Sequence, residues 1–280
     1  MFINVKIIRN KNYTSIFLHL LKDSTLIYII SNFIVNFLMN IGFFVVSDYY
    51  NLNPVMKYPN IIFEAEEIKW NREIITGVYS MGLIVGFVLS VIFILLLIPY
   101  RRKSHLLRLF LIWLSINSVA VVATYLITTP LNNSFIGGVL SWNRFNFPLI
   151  KILMSVIGAI VIIFFSLYIA LPVFRLAFAN RFVNTQNDRI SFLKVAILYP
   201  FLIGTIPTII IHLPIQDLFS FLLPITIGLI VGFIIVSSSL IDKVIIVKKE
   251  EYHYLSFPFY ISVICLLIVI RLLLLTPIKI

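Results

Sequence analysis

The chain has 280 residues, of which 61% are apolar and 12% are charged, and its mean hydropathy is +1.07. Soluble domains are typically about 45–50% apolar and about 25% charged, so this composition excludes a water-soluble globule, a disordered tail and a collagen-like fibre. The net charge of +11 would suggest a nucleic-acid partner only in a soluble protein. We therefore predict an integral membrane protein that binds no nucleic acid, and we interpret the positive charge as a signal of orientation in the bilayer.

The first 23 residues form a basic segment, 1–23, which we predict to be cytoplasmic. Within it, Tyr13 to Lys22 alternates apolar and polar residues at roughly helical spacing. This pattern fits either a short interfacial helix or a mobile basic tail. The apolar run that follows exceeds the core of about 7–15 residues in a cleaved signal peptide, and we predict a retained first span.

Residues 24–280 are predicted to be one transmembrane domain, an all-α polytopic bundle with about seven spans. Each span has close to the 20 mainly apolar residues that a helix needs to cross a bilayer. The predicted spans are 24–48, 73–99, 106–129, 149–173, 193–212, 218–240 and 254–276. Pro200 and Pro207 interrupt the fifth span. Between the first two spans, the alternation from Ile61 to Glu66 fits a short strand or an interfacial helix.

The distribution of positive charge predicts the orientation. With seven spans and a cytoplasmic amino terminus, most of the 22 Lys and Arg residues fall in the amino-terminal segment and in the 2–3, 4–5 and 6–7 loops. Cytoplasmic loops carry such an excess. We therefore expect the carboxyl terminus on the opposite side, and we expect the membrane to be a bacterial inner membrane.

A polar stripe runs along the first span. Asn32, Asn36 and Asn40 are four residues apart, a spacing that places all three amides on one face of a helix. Amides that face lipid would lose their hydrogen bonds. We expect this polar intramembrane face to bond to a neighbouring helix, and the alternative is that it lines a polar cavity.

Small residues form a ridge in the second span, at Gly82, Gly86 and Ser90, and a weaker pair in the sixth, at Gly228 and Gly232. Such ridges let a neighbouring backbone approach closely. We expect packing within the chain, and the alternative is a dimer or partner face.

A candidate polar site lies at the predicted outer mouth, where polar residues end the fifth span and begin the sixth, opposite an acidic segment. It comprises His212, Asp217, Glu64 and Glu67. A histidine with carboxylates can bind a divalent cation or relay a proton, but residues at span ends also simply meet water. We expect the second, and predict no metal site.

Prolines inside spans, such as Pro200 and Pro224, tend to kink helices, and transporters use broken helices to build sites near the midplane. However, no Asp, Glu or Lys lies deep inside a predicted span, whereas ion pathways usually carry such groups. The phosphate-loop, dinucleotide, serine-hydrolase and H-E-x-x-H motifs are missing from the sequence. We therefore predict no enzyme, no catalytic residue and no cofactor.

About the first third of the chain carries a family resemblance. Asn32-Phe33-Ile34-Val35-Asn36 lies in the first span, and Ala65-Glu66-Glu67-Ile68-Lys69-Trp70 precedes the Gly-bearing second span. This arrangement resembles the start of site-2-protease-like multi-pass membrane proteins. In that family two His of H-E-x-x-H bind zinc and the Glu serves as base. Because amides replace both His and Phe33 replaces the Glu, the resemblance implies a relative that lacks zinc and hydrolysis.

These observations predict a non-catalytic membrane subunit or scaffold that packs against partner membrane proteins, a second copy of itself or lipids. A small-molecule or lipid transporter that uses the Asn face as a cavity wall is the first alternative. An inactive relative of an intramembrane metalloprotease is the second.

Overall fold

A computed structural model describes residues 11–57, 60–63, 70–100, 104–131, 135–143, 147–177, 182–211, 213, 218–241 and 254–273. This part of the chain is almost entirely helical, which confirms the predicted all-α polytopic bundle. Its helices are α1 (Lys11–Tyr49), α2 (Arg72–Tyr100), α3 (His105–Thr128), α4 (Phe135–Trp142), α5 (Pro148–Phe174), α6 (Gln186–Leu193), α7 (Tyr199–Ile211), α8 (Leu218–Ser237) and α9 (Phe257–Leu273).

Six helical stretches among the described residues are long and apolar enough to cross a bilayer, and each overlaps one of the first six predicted spans. They are Ser15–Tyr49, Arg72–Pro99, His105–Thr128, Pro148–Phe174, Gln186–Ile211 and Leu218–Ser237. The seventh predicted span contains α9, an apolar helix of 17 residues. At 1.5 Å per residue it is about 26 Å long, slightly less than a hydrocarbon core of about 30 Å.

The first helix begins earlier than the apolar run alone suggests. α1 has 39 residues and continues without a break from Lys11 into the first predicted span. At about 58 Å it is much longer than the bilayer core is thick. For residues 11–22 the structure thus has a helix in place of a mobile tail.

The segment after α1 forms a small hairpin. Strands β1 (Pro54–Lys57) and β2 (Asn60–Phe63) pair antiparallel, with Val55 opposite Ile62. The predicted alternation therefore produces a strand over 60–63. Glu64 and Glu67 of the candidate outer-mouth site follow this strand and lie outside the described residues.

The centre of the bundle is α3. In its most apolar window 83% of residues are buried, compared with 22–39% in the other candidate spans. Each residue from Leu111 to Leu126 is buried, because α1, α2, α5 and α8 pack around this helix. A helix enclosed in this way needs apolar or internally bonded side chains on every face.

The fifth span contains a π-helical turn, Lys194–Leu198, which joins α6 to α7. Its cause is the proline that follows. In an α-helix the carbonyl of Ala196 would accept from the N–H of residue 200, but Pro200 has no N–H. The hydroxyl of Ser24 in α1 donates to this carbonyl at 2.6 Å, and the indole N–H of Trp113 in α3 donates to Ser24 Oγ at 2.9 Å. The break in one helix is thus stabilised by two others.

We expect Ser24→Ala to destabilise the bundle, because it leaves the Trp113 N–H and the Ala196 carbonyl without this hydroxyl. A buried polar group without a partner costs about 1–3 kcal/mol. The control is Ser115→Ala, which removes an equally buried hydroxyl whose bond goes to Leu111 O of its own helix. Thermal unfolding of the purified protein should show a Tm several degrees lower for Ser24→Ala than for Ser115→Ala. Equal Tm values would contradict this account of the π turn.

Candidate functional site

The asparagine stripe of α1 faces the interior of the bundle. Asn32, Asn36 and Asn40 are 4%, 5% and 6% exposed. The four-residue spacing keeps all three on the side of α1 that packs against its neighbours. Lipid therefore does not cover these amides.

The amides bond within α1 and to α3. Asn32 Nδ2 donates to Asn117 Oδ1 at 3.0 Å, and Asn36 Nδ2 donates to Asn32 O at 2.9 Å and to Asn32 Oδ1 at 3.2 Å. Asn117 belongs to α3 and is buried, with 1% of its surface exposed. A chain of three primary amides thus connects the two helices at the centre of the bundle.

The amide nitrogen of Asn117 donates two hydrogen bonds that extend this network. Asn117 Nδ2 donates to Ser31 Oγ at 3.0 Å and to Trp113 O at 2.9 Å. Ser31 Oγ in turn donates to Tyr28 O at 2.9 Å. Each donor in this series reaches a protein acceptor, as buried polar groups in an apolar environment require.

An aromatic cluster continues the network to α7. The Tyr28 ring packs against Trp113 and Phe201, with ring centroids 4.7 Å and 6.0 Å apart. Its hydroxyl lies 3.3 Å from Thr205 Oγ1. The ring also covers Gly204, where a Cβ would overlap it. The absence of a side chain at Gly204 allows α7 to approach α1 closely.

The small-residue ridge of the second span packs against α3. A Cβ at Gly82 would overlap the Tyr125 hydroxyl, and one at Gly86 would lie 2.8 Å from Val121 Cγ1. Ser90 is buried and donates to Gly86 O at 2.7 Å. The structure therefore places all three residues at a contact inside the chain.

The two glycines of the sixth span differ from each other. A Cβ at Gly228 would lie 3.2 Å from Phe201 Cζ of α7, whereas a Cβ at Gly232 would meet no atom of the described residues within 4 Å. Gly232 lies between Phe233 and Leu229, which are 37% and 47% exposed. Gly232 thus forms a shallow notch in the outer surface of α8.

The remaining candidate residues, His212 and Asp217, lie outside the described residues, as do Glu64 and Glu67. At the end of the bundle where α2 begins, the structure describes a polar contact between α2 and the residue after α4. Arg72 Nε donates to Asn143 Oδ1, and Asn143 Nδ2 donates to Thr76 Oγ1 at 2.9 Å. This contact fixes the short helix α4 against α2.

The sequence does not predict one buried carboxylate, because Asp23 precedes the predicted first span. The structure has it inside the apolar stretch of α1, with 0% exposure. The Tyr260 hydroxyl and the Leu255 N–H donate to Asp23 Oδ1, and His19 stacks on Tyr254. Asp23 thus attaches the beginning of α9 to α1.

Among the described residues, no group of three or more His, Cys, Asp or Glu side chains is arranged to hold a metal ion. Comparison with protein-family models, with curated proteins and with solved structures gives no match. The resemblance to site-2-protease-like proteins stays a prediction from the residues alone.

We expect the same substitution, glycine to leucine, to have different effects on stability at Gly82 and at Gly232. We expect Gly82→Leu to destabilise the protein by about 1–3 kcal/mol or more, the usual cost of overpacking, because Tyr125 occupies the space. Gly232→Leu meets no atom of the described residues at Cβ. It should leave the Tm within about 2 °C of the wild type, since surface substitutions usually change stability by less than about 0.5 kcal/mol. Thermal unfolding in one detergent measures both. A stable Gly82→Leu protein would contradict the close α2–α3 contact.

Proposed function

We propose that this chain is a non-catalytic integral membrane protein, a subunit or scaffold that packs against partner membrane proteins or lipids. The observation that carries the proposal is how the polar side chains inside the bundle are hydrogen-bonded. The amides of Asn32, Asn36 and Asn117 bond to one another and to the backbone of α1 and α3. Groups that could otherwise contact a substrate hold helices together.

The outer surface of α8 supports a partner in contact with the bundle. Of the small residues that the sequence singles out, Gly82 and Gly86 are covered by α3, but no part of the described chain covers Gly232. Val236, one turn along the same face, is 64% exposed. In a bilayer the hydrophobic effect does not drive helices together, because lipid tails are as apolar as the side chains. A small residue on the helix surface instead favours close helix–helix contact. We propose this face of α8 as the partner surface.

Transport along the asparagine face would need a different arrangement. Asn32 would have to release Asn117, and α1 would have to separate from α3, before a polar molecule could contact the amides. Such a separation would also expose Asn36 and Ser31. The described contacts therefore favour the scaffold over the transporter.

The orientation and the membrane that we propose follow from the distribution of Lys and Arg along the chain. We place the amino terminus in the cytoplasm and the carboxyl terminus on the opposite side of a bacterial inner membrane, since Lys and Arg accumulate in the segments that this topology puts inside. Fusing a reporter that is active only in the cytoplasm to each terminus would test the orientation.

The test of the scaffold is purification of the tagged full chain from cells that express it natively, with quantitative mass spectrometry of membrane proteins present in stoichiometric amount. We expect Gly232→Leu to lower the recovery of a partner about tenfold or more, because Leu fills the notch that admits the partner backbone. The matched control is Ala159→Leu, which enlarges another small, outward-facing residue on α5. Equal recovery from both variants would contradict the α8 surface, and a lone chain in the wild-type sample would contradict the scaffold.

A further inference from the structure

A cleft lies between α2, α3 and α5, at the end of the bundle where α1 begins. Its volume is about 190 Å³, and its lining is Leu97, Ile98, Arg108, Ile112, Tyr168, Leu171, Pro172 and Arg175. Apolar cavities of about 150 Å³ hold a molecule of the size of benzene. The cleft can therefore take a segment of a hydrocarbon chain, but not a whole lipid.

The cleft opens towards the surrounding bilayer. Ile98 of α2 is 51% exposed, and Tyr168 and Leu171 of α5 are 46% and 36% exposed. In a membrane these outward faces contact lipid tails. An acyl chain that lies along the groove between α2 and α5 can thus enter the cleft from the side.

Two arginines, Arg108 and Arg175, are among the residues that line the same cleft. Arg108 is 8% exposed, and its Nη1 donates at 3.1 Å to the carbonyl of Arg175, the residue that caps the carboxyl end of α5. A cation is favourable at the carboxyl end of a helix, which accounts for the position of Arg108. The side chain of Arg175 is exposed. A guanidinium carries five N–H donors, so it can serve a carbonyl and a phosphate together.

The described lining of the cleft includes two arginines and no acidic residue. In the sequence, Arg101, Arg102 and Lys103 directly follow α2. Basic pockets between transmembrane helices on the cytoplasmic side bind the headgroups of anionic lipids, and this is the end that the charge distribution predicts to be cytoplasmic.

We propose that this cleft binds one anionic phospholipid, with its phosphate at Arg108 and Arg175 and an acyl chain between α2 and α5. The apolar wall and the two arginines of the lining match the two parts of such a molecule. The site is distinct from the α8 surface, so it stands or falls independently of the proposed partner.

The experiment titrates the purified full chain with phosphatidylglycerol in detergent and counts bound lipid by native mass spectrometry. We expect one phosphatidylglycerol per chain, bound more tightly than phosphatidylcholine. Arg175→Gln should weaken binding about fivefold, the factor expected for one Lys or Arg at an anionic membrane surface. This variant keeps the backbone carbonyl that Arg108 uses. Lys22→Gln, which removes an exposed cation outside the cleft, should bind as the wild type does.

A second variant tests the part of the cleft that we propose holds the acyl chain. Ile98→Trp keeps both guanidinium groups but narrows the entrance between α2 and α5, and it should also reduce the bound lipid. Equal binding of the two lipids, or wild-type binding by Arg175→Gln, would overturn the phosphate site. Wild-type binding by Ile98→Trp would overturn the acyl-chain site. If inorganic phosphate binds as tightly as the lipid, a free ion is the ligand and the lipid assignment is wrong.

Discussion

The hydrogen bond between the side chains of Asn32 and Asn117 is the contact on which the described bundle depends. In the hydrocarbon core no water can replace a lost bond, so a primary amide deep in a span needs a protein partner. α1 supplies Asn32 and Asn36, and α3 supplies Asn117 at the facing position. This requirement fixes the rotation of α1 about its axis and its depth along α3, which apolar contacts alone would leave less well defined.

The central helix satisfies two requirements at once. α3 is enclosed by its neighbours, and it carries polar side chains that bond to α1. Trp113 donates to Ser24, which in turn bonds the carbonyl released by Pro200. π-helical turns often mark functional sites, but here the turn has a local cause in the missing N–H of proline, and the Ala196 carbonyl is bonded by Ser24. The polar interior therefore supports an assembly role, and the features that face outward, Gly232 and the cleft with Arg108, are where we place its interactions.

The sequence predicts the spans well, because hydropathy is a local property and each helix must itself cover the bilayer thickness. The spacing of the asparagines also predicts a common face. The residue that bonds to Asn32 could not be predicted. Nothing in the sequence distinguishes Asn117 from other isolated polar residues until α3 is known to lie against α1. Asp23 was missed for a similar reason. It precedes the apolar run, and its burial depends on Tyr260, which lies far along the chain.

The most direct test of the central claim is a double-mutant cycle on Asn32→Ala and Asn117→Ala, with the free energy of unfolding measured in one detergent. A cycle is needed because removing both amides together can be less costly than removing one. The account predicts that each single variant is destabilised and that the two are coupled by about 0.6 kcal/mol, up to about 1.7 kcal/mol, the range for such bonds in membrane proteins. Strictly additive effects, or single variants as stable as the wild type, would contradict the claim that these amides hold α1 against α3.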